Sequence, residues 1–352
     1  MPVSIGNVSL AGVAASVPAS RLAAEAAHPS LSQGTLKKIS QSTGIRARHI
    51  GDQSVCTSDL CEHAARSLLA ELRWEASSID GIIFVSQTPD YVLPATACVL
   101  HGRLGCRSDC FAFDVNLGCS GYVYGLWLCW TLLQTPPTRR VLLLAGDTIN
   151  RIVCPEDRSA ALLFGDAGSA TCLEASPGAP RAIFQLATDG SGFDRLIVPA
   201  GGFRKPRSNS TAEVLPGPDG NARSEEHLYM DGGEIIAFTL RTVPKSIQAV
   251  YEAQDWAPHD LDALIMHQAN GLIVSSLAKR VGVTPAQVPR TLEEYGNTSS
   301  ASIPLTLTHY LTLAKPSQDR KVVFSGFGVG LSWASVSLAL SNPVSTGILY
   351  YG

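Results

Sequence analysis

The sequence predicts a layered α/β protein made of two halves that share one plan. Apolar strand-like runs alternate with helical runs along the chain, which is the pattern of helices packed on mixed or parallel sheets. The same strand-and-turn signatures also recur at a near-constant spacing. Ile79-Asp80-Gly81-Ile82-Ile83-Phe84-Val85 has a counterpart in Leu261-Asp262-Ala263-Leu264-Ile265-Met266-His267, with Asp80 and Asp262 182 residues apart. Arg140-Val141-Leu142-Leu143-Leu144-Ala145-Gly146 is matched by Lys321-Val322-Val323-Phe324-Ser325-Gly326-Phe327, 181 residues later. Between them, Gly118-Cys119-Ser120-Gly121 corresponds to Gly296-Asn297-Thr298-Ser299, 178 residues later. Collinear matches of this kind mark an internal repeat. A chain of 352 residues is also too long for one simple core. The halves are expected at 1–175 and 176–352.

Each element has a local reason. Residues 79–85, 111–115, 140–146, 261–267 and 321–327 are short apolar runs bounded by turn residues, and read as buried strands. Helical patterns cover 58–72, 120–133, 234–253, 271–281 and 301–313. In 271–281, Leu272, Ile273, Leu277 and Val281 fall on one face. The stretch 201–226 is rich in Gly, Pro, Ser and Asn and carries Arg204, Lys205 and Arg207, so it reads as a long surface loop between the halves.

Composition narrows the function. Charged residues are 16% of the chain and hydrophobic ones 45%, so surface is expected to be buried against a second copy, most simply in a homodimer. A net charge of −3 with no basic run gives no footprint for nucleic acid. The nine cysteines lie between Cys56 and Cys172, with no Cys-x-x-Cys pair and no zinc-type His/Cys spacing, so no metal is expected. Their odd number fits free thiols in a reducing, cytoplasmic compartment. Met1-Pro2-Val3-Ser4-Ile5 lacks a basic, then apolar, leader pattern. The apolar run 122–133 is too short to span a bilayer, so no membrane partner is expected.

Three strand ends carry reactive side chains. Cys119 stands where Phe111-Ala112-Phe113-Asp114-Val115 gives way to the apolar helix. Unpaired N–H groups and the positive end of a helix dipole favour the thiolate there. His267 caps the strand Leu264-Ile265-Met266, and Asn297 sits in a turn before another apolar helix. Each has an ordinary structural reading: an inert buried thiol, a core histidine, a turn asparagine. One site explains all three, because active groups in α/β sheets collect at the carboxyl ends of strands. The loop Ser325-Gly326-Phe327-Gly328-Val329-Gly330 could bring backbone N–H groups to the same place as an oxyanion site. Its glycine spacing is not that of a dinucleotide fingerprint.

These motifs carry a family resemblance. Thr43-Gly44-Ile45-Arg46, Asn116-Leu117-Gly118-Cys119-Ser120-Gly121, Phe164-Gly165-Asp166, His267-Gln268-Ala269-Asn270, Gly296-Asn297-Thr298-Ser299-Ser300-Ala301-Ser302 and Gly326-Phe327-Gly328-Val329-Gly330 occur in the order found in β-ketoacyl-acyl carrier protein synthase III, of the thiolase superfamily. The resemblance runs from about Leu10 to Ala339. It implies a duplicated five-layer α-β-α-β-α sandwich, usually a homodimer. It implies a transferase that takes an acyl group from acyl-CoA onto Cys119, then condenses it with malonyl-acyl carrier protein, with CO2 lost. His267 and Asn297 would donate hydrogen bonds to the malonyl thioester carbonyl. The oxyanion of the acylation step would be held by Cys119 and by the loop at Gly328 and Val329. The resemblance assigns Arg46, Arg151 and Asn270 to CoA and pantetheine, and Leu93 and Phe327 to the acyl pocket. No cofactor is implied beyond the acyl-CoA and acyl carrier protein substrates.

The chain departs from the family in places. Lys38 stands where a tryptophan commonly stacks on adenine, and Ser42 replaces a common arginine. Gly271-Leu272 occupies a position often basic for carrier docking, leaving Lys279, Arg280 or Arg290 for that task. Val329 replaces the middle glycine of the loop, where a positive φ would be difficult. Leu93 in place of Phe suggests a starter other than acetyl and a specialised paralogue. The second reading is an acyltransferase that moves the Cys119 acyl group to a hydroxyl, amine or carrier without decarboxylation. A degradative thiolase would need a late second cysteine, and the last one here is Cys172.

Overall fold

The computed structural model describes residues 1–24, 28, 31–217, 220–314 and 319–352. Among these, the strands form two large sheets. One runs in the spatial order Val344–Tyr351, Val8–Pro18, Ala167–Ala175, Arg140–Asp147, Gly81–Val85, Phe111–Val115. The other runs Val3–Ile5, Ala182–Thr188, Ser332–Leu340, Arg320–Gly328, Ala263–Met266. The last four positions of the second order reproduce positions two to five of the first, while the edge strands Val344–Tyr351 and Val3–Ile5 pair parallel and antiparallel with their neighbours. In both, the strand after the helix that follows the Cys119 or the Asn297 turn pairs parallel to one neighbour and antiparallel to the other: Arg140–Asp147 with Gly81–Val85 and Ala167–Ala175, Arg320–Gly328 with Ala263–Met266 and Ser332–Leu340. The repeat read from the strand signatures is therefore a repeat of sheet topology.

Five layers follow from where the apolar faces go. Helices Thr57–Leu72 and Thr96–Leu104 cover the outer face of the first sheet through Leu60, Ala64, Leu68 and Leu100. Helices Gly232–Glu252 and Gly271–Val281 cover the outer face of the second through Val243, Ile247, Val274 and Leu277. Helices Gly121–Leu132 and Ser302–Leu313 lie between the sheets, where Tyr122, Leu126 and Trp130 meet Ile303, Leu307, Phe324 and Leu143. A helix between two sheets needs no polar face, which is why Gly121–Leu132 is apolar all round.

The 175/176 boundary falls between strands Ala167–Ala175 and Ala182–Thr188, which belong to different sheets. The chain ends cross it. Val3–Ile5 pairs with Ala182–Thr188, and Val344–Tyr351 pairs with Val8–Pro18. Each half is thus completed by a strand from the other. Apart from 218–219, which lie outside the described residues, the expected loop 201–226 carries a short helix Asn209–Ala212 and a two-stranded ribbon of Leu215–Pro216 with Ala222–Arg223.

Candidate active site

The nucleophile turn is clamped between the halves. After strand Phe111–Val115 the chain closes a turn in which the Gly121 N–H donates to the Gly118 carbonyl at 2.7 Å. Strand Arg320–Gly328 from the second half lies directly against it. A Cβ on Gly326 would stand 2.7 Å from the Cys119 carbonyl oxygen, and one on Gly328 would stand 2.9 Å from Cys119 Cβ and 3.1 Å from its Sγ. The glycines of this loop are therefore required by close approach. Val329 takes no positive φ, because Gly328 and Gly330 do so, at 156° and 135°. The difficulty expected from the valine does not arise.

His267 extends its strand by one more pairing, its N–H donating to the Ser325 carbonyl at 2.8 Å. Its Nδ1 lies 2.8 Å from Ser302 Oγ, which leaves Nε2 for the cavity. Phe327 packs edge-on against the ring at 5.4 Å. Asn297 is held by its backbone to the Phe164-Gly165 segment. Its N–H donates to the Leu163 carbonyl at 2.9 Å, and its own carbonyl accepts from Gly165 at 3.1 Å. Gly296 makes this possible with a φ of 67° in a space bounded by Leu163 O and Arg48. Asn297 Oδ1 accepts the Ser299 N–H at 3.0 Å, so the amide NH2 is the group left to donate.

Cys119, His267 and Asn297 line one cavity, together with Asn270, Phe327 and Gly328. Leu196, Met230, Ile235, Ile236 and Ile273 form its apolar wall. Burial pushes the Cys119 thiol up to about 12, and the Asp147 carboxylate adds to the effect. The Ser299 hydroxyl and the backbone N–H groups of Cys119 and Val329 pull the other way. The thiolate expected from the helix N-terminus is therefore not the resting state. A helix end contributes about 0.3–2 kcal/mol, less than about 1.5 pH units at 1.36 kcal/mol each, and burial outweighs it. Burial also pushes His267 down to about 3, so its imidazole is neutral.

The other expected residues separate. Asn270 is at the cavity, and its Oδ1 caps helix Gly271–Val281 by accepting from Ile273 N–H at 2.8 Å. Arg46 is exposed and pairs with Glu294 at 3.0 Å. Lys38 is exposed on helix Gln33–Thr43. Arg151 donates to the Gln53 and Val55 carbonyls at 2.5 and 2.6 Å beside a second cavity that includes Asn150 and His227. Leu93, expected at the acyl pocket, is 80% exposed and does not reach the cavity within this chain. It sits in the loop before helix Thr96–Leu104, on the outer layer of the first sheet. The sequence does not reveal the serines that orient the site, Ser299 and Ser302, nor Asp147. Their only signal is the density of hydroxyls in Asn297-Thr298-Ser299-Ser300-Ala301-Ser302, just ahead of an apolar helix. Among the described residues all nine cysteines are free, no His/Cys/Asp/Glu cluster could hold a metal, and no helix is long and apolar enough to cross a membrane.

Two topologically matched sheets enclosing a helical layer, with Cys, His and Asn on one cavity between them, define a thiolase-fold condensing enzyme. Residues 113–190 match the family model for 3-oxoacyl-[acyl-carrier-protein (ACP)] synthase III, and residues 251–340 match that for its C-terminal part. The chain is 34% identical to the beta-ketoacyl-[acyl-carrier-protein] synthase III of Caldanaerobacter subterraneus, over 84% of this chain and 87% of that one. It is 35% identical to beta-ketoacyl-[acyl-carrier-protein] synthase III 3 of Streptomyces coelicolor, over 84% and 86%. The crystal structure of a 3-oxoacyl-(acyl-carrier protein) synthase from Burkholderia xenovorans superimposes with a TM-score of 0.94 at 41% identity, covering 100% of this chain and 99% of that one. The chain belongs to the 3-oxoacyl-acyl carrier protein synthase III family, condensing transferases of fatty acid biosynthesis.

Proposed function

We propose that the protein joins an acyl group from acyl-CoA to a malonyl-acyl carrier protein with loss of CO2, and that Cys119 carries the acyl group between the two steps. In the first step Cys119 Sγ attacks the thioester carbonyl, and its proton passes by way of the His267 ring to the departing CoA sulfur. The Cys119 and Val329 N–H groups, which already face the sulfur, stabilise the oxyanion until CoA thiol leaves. In the second step the malonyl carboxylate leaves as CO2. Its electron pair moves to the thioester enolate, held by the His267 ring and the Asn297 amide. The enolate carbon then attacks the acyl-Cys119 carbonyl, and the sulfur departs as a thiolate that takes up a proton from water to restore the thiol. The observation that supports this reading best is the fixed Asn297 amide. With Oδ1 committed to Ser299, only its NH2 can face the cavity, and a neutral donor suits an enolate.

Arg46, Arg151 and Lys38 remain proposals for the CoA nucleotide, and Asn270, with its free NH2 on the cavity, for pantetheine. A starter longer than acetyl is supported by the apolar wall, from Leu196 to Ile273, rather than by Leu93. A homodimer is supported by the adjacent exposed side chains of Tyr91, Val92 and Leu93. We also place the enzyme in the cytoplasm, in keeping with nine free thiols. Carrier docking beside the entrance would meet Leu272, which is 61% exposed, with Lys279 and Arg280 at the other end of the same helix.

The test is to incubate the protein with a panel of acyl-CoAs, locate the adduct by mass spectrometry, then add malonyl-acyl carrier protein and measure CO2. Acylation on Cys119, abolished in Cys119→Ala, followed by CO2 and a 3-oxoacyl product, is expected. Persistent acylation in Cys119→Ala would assign the nucleophile elsewhere. Acylation without CO2 would favour plain acyl transfer.

A further inference from the structure

Strand Arg140–Asp147 ends on a carboxylate with no exposure to solvent. Asp147 Oδ1 accepts from the Gln87 N–H at 2.7 Å and from the Ser86 and Thr88 hydroxyls at 3.1 and 3.4 Å. Its Oδ2 accepts from the Ser300 N–H at 3.2 Å and the Ser300 hydroxyl at 2.8 Å. One oxygen therefore serves the first half and the other serves the second. With the Ser299 hydroxyl, these donors satisfy the buried carboxylate.

Both catalytic loops lie one step further out. The Gln87 side-chain oxygen stands against Gly118, only 2.3 Å from where a Cβ would be, and Gly118 precedes the nucleophile. Ser300 lies three residues beyond Asn297, in the turn whose Ser299 N–H orients the Asn297 amide. We propose that Asp147 is a positioning residue for condensation: it ties the turn carrying Asn297 to the turn carrying Cys119 and sets a buried carboxylate behind them. The tie to condensation rests on the functional reading above; the charge does not.

The charge has a consequence for the resting enzyme. The ionisable groups that feel Asp147 are the Cys119 thiol and, from helix Thr57–Leu72, the Cys61 thiol, which also feels Asp90 and Asp59. His267 shares the cavity with Cys119 and is neutral. The segment 86–88 and the turn Ser299–Ala301 present amide and hydroxyl groups. Burial pushes the Asp147 carboxyl itself up, against the pull of its hydrogen bonds to Gln87, Ser299 and Ser300. An ionised Asp147 opposes formation of a thiolate beside it. A sulfur kept protonated resists alkylation and oxidation.

Two variants separate the tie from the charge. Asp147→Asn removes the charge; Ser300→Ala keeps the charge and removes one bond of the tie. The readouts are the pH profile of Cys119 alkylation by iodoacetamide, located by mass spectrometry, and the ratio of CO2 release to acyl-enzyme formation. In Asp147→Asn the alkylation profile is expected about one pH unit lower, so that alkylation at pH 8 is about tenfold faster. Its CO2-to-acylation ratio is expected to fall about tenfold or more. In Ser300→Ala the ratio falls several-fold and the alkylation profile stays with the wild type. An unmoved profile in Asp147→Asn overturns the role of the charge. An unchanged ratio in Ser300→Ala overturns the tie, and decides it alone where Asp147→Asn does not fold. Alkylation needs no substrate, so a wild-type protein that is alkylated normally but never releases CO2 sinks the condensing reading and leaves the charge to be judged on its own profile.

Discussion

Gly328→Ala should cripple the nucleophile while leaving the fold standing. The added methyl would lie 2.9 Å from Cys119 Cβ and 3.1 Å from Sγ. Carbon atoms rest at about 3.5–4.0 Å, so the overlap is roughly 0.6–1.1 Å. There is little slack to absorb it. Two residues back along the same strand, the space beside Gly326 is already filled by Cys119 O and Ser120 Cα. The sulfur must therefore move by something on the order of 0.5–1 Å relative to the N–H groups of Cys119 and Val329. Misplacement of that size costs about 100-fold in a positioned reaction, and overpacking costs about 1–3 kcal/mol of stability. The assay is the rate of acyl-enzyme formation by intact mass, beside a thermal melt. We expect a folded protein, melting a few °C lower, that acylates about 100-fold more slowly. Gly102→Ala is the control, since a Cβ there meets nothing within 4 Å. A folded Gly328→Ala enzyme acylating within about threefold of the wild type would refute the close-approach reasoning.

The remaining predictions concern the other two cavity residues. Asn297→Ala should still acylate at Cys119, but CO2 release should fall by about 10²–10³, the usual loss for one oxyanion donor; unchanged CO2 release would remove Asn297 from its role. His267 is held neutral in the folded protein, with its titration lowered to about 3 from 6.5. The unfolded chain thus binds one more proton between those values, and stability should fall as the pH drops from about 6.5 toward 3. The slope from this group is at most about 1.4 kcal/mol per pH unit. Denaturant midpoints measured across that range should show this contribution in the wild type and lack it in His267→Gln; identical pH slopes would place the imidazole in a wetter setting than the structure gives it.

The strands that could be read in advance are those with continuous apolar runs, because a strand buried on both faces leaves that mark. Gly81–Val85, Arg140–Asp147, Ala263–Met266 and Arg320–Gly328 are of this kind, and their ends differ from expectation by only a residue or two. Ala167–Ala175 and Ser332–Leu340 were not legible, although they sit at the centre of each sheet. They bury Ser169, Thr171, Ser335 and Ser337, whose hydroxyls are satisfied by Ala145 O, Tyr122, Ser246 and Val250 O. A buried hydroxyl looks polar in sequence until its partner is known.

The sequence by itself determined that Cys119, His267 and Asn297 stand at strand ends or turns in matched halves, since repeated local patterns and turn residues are local properties. Tertiary structure alone decided that the chain termini complete each other's sheets and that Leu93 faces outward. It also decided that Ser299, Ser302 and Asp147 orient the site, and that Cys119 rests as a thiol rather than a thiolate. Each of these depends on contacts between residues far apart in the chain, or on how much water reaches a group. A helix N-terminus can be read from a few neighbouring residues, whereas the burial that overrides it is supplied by the opposite half.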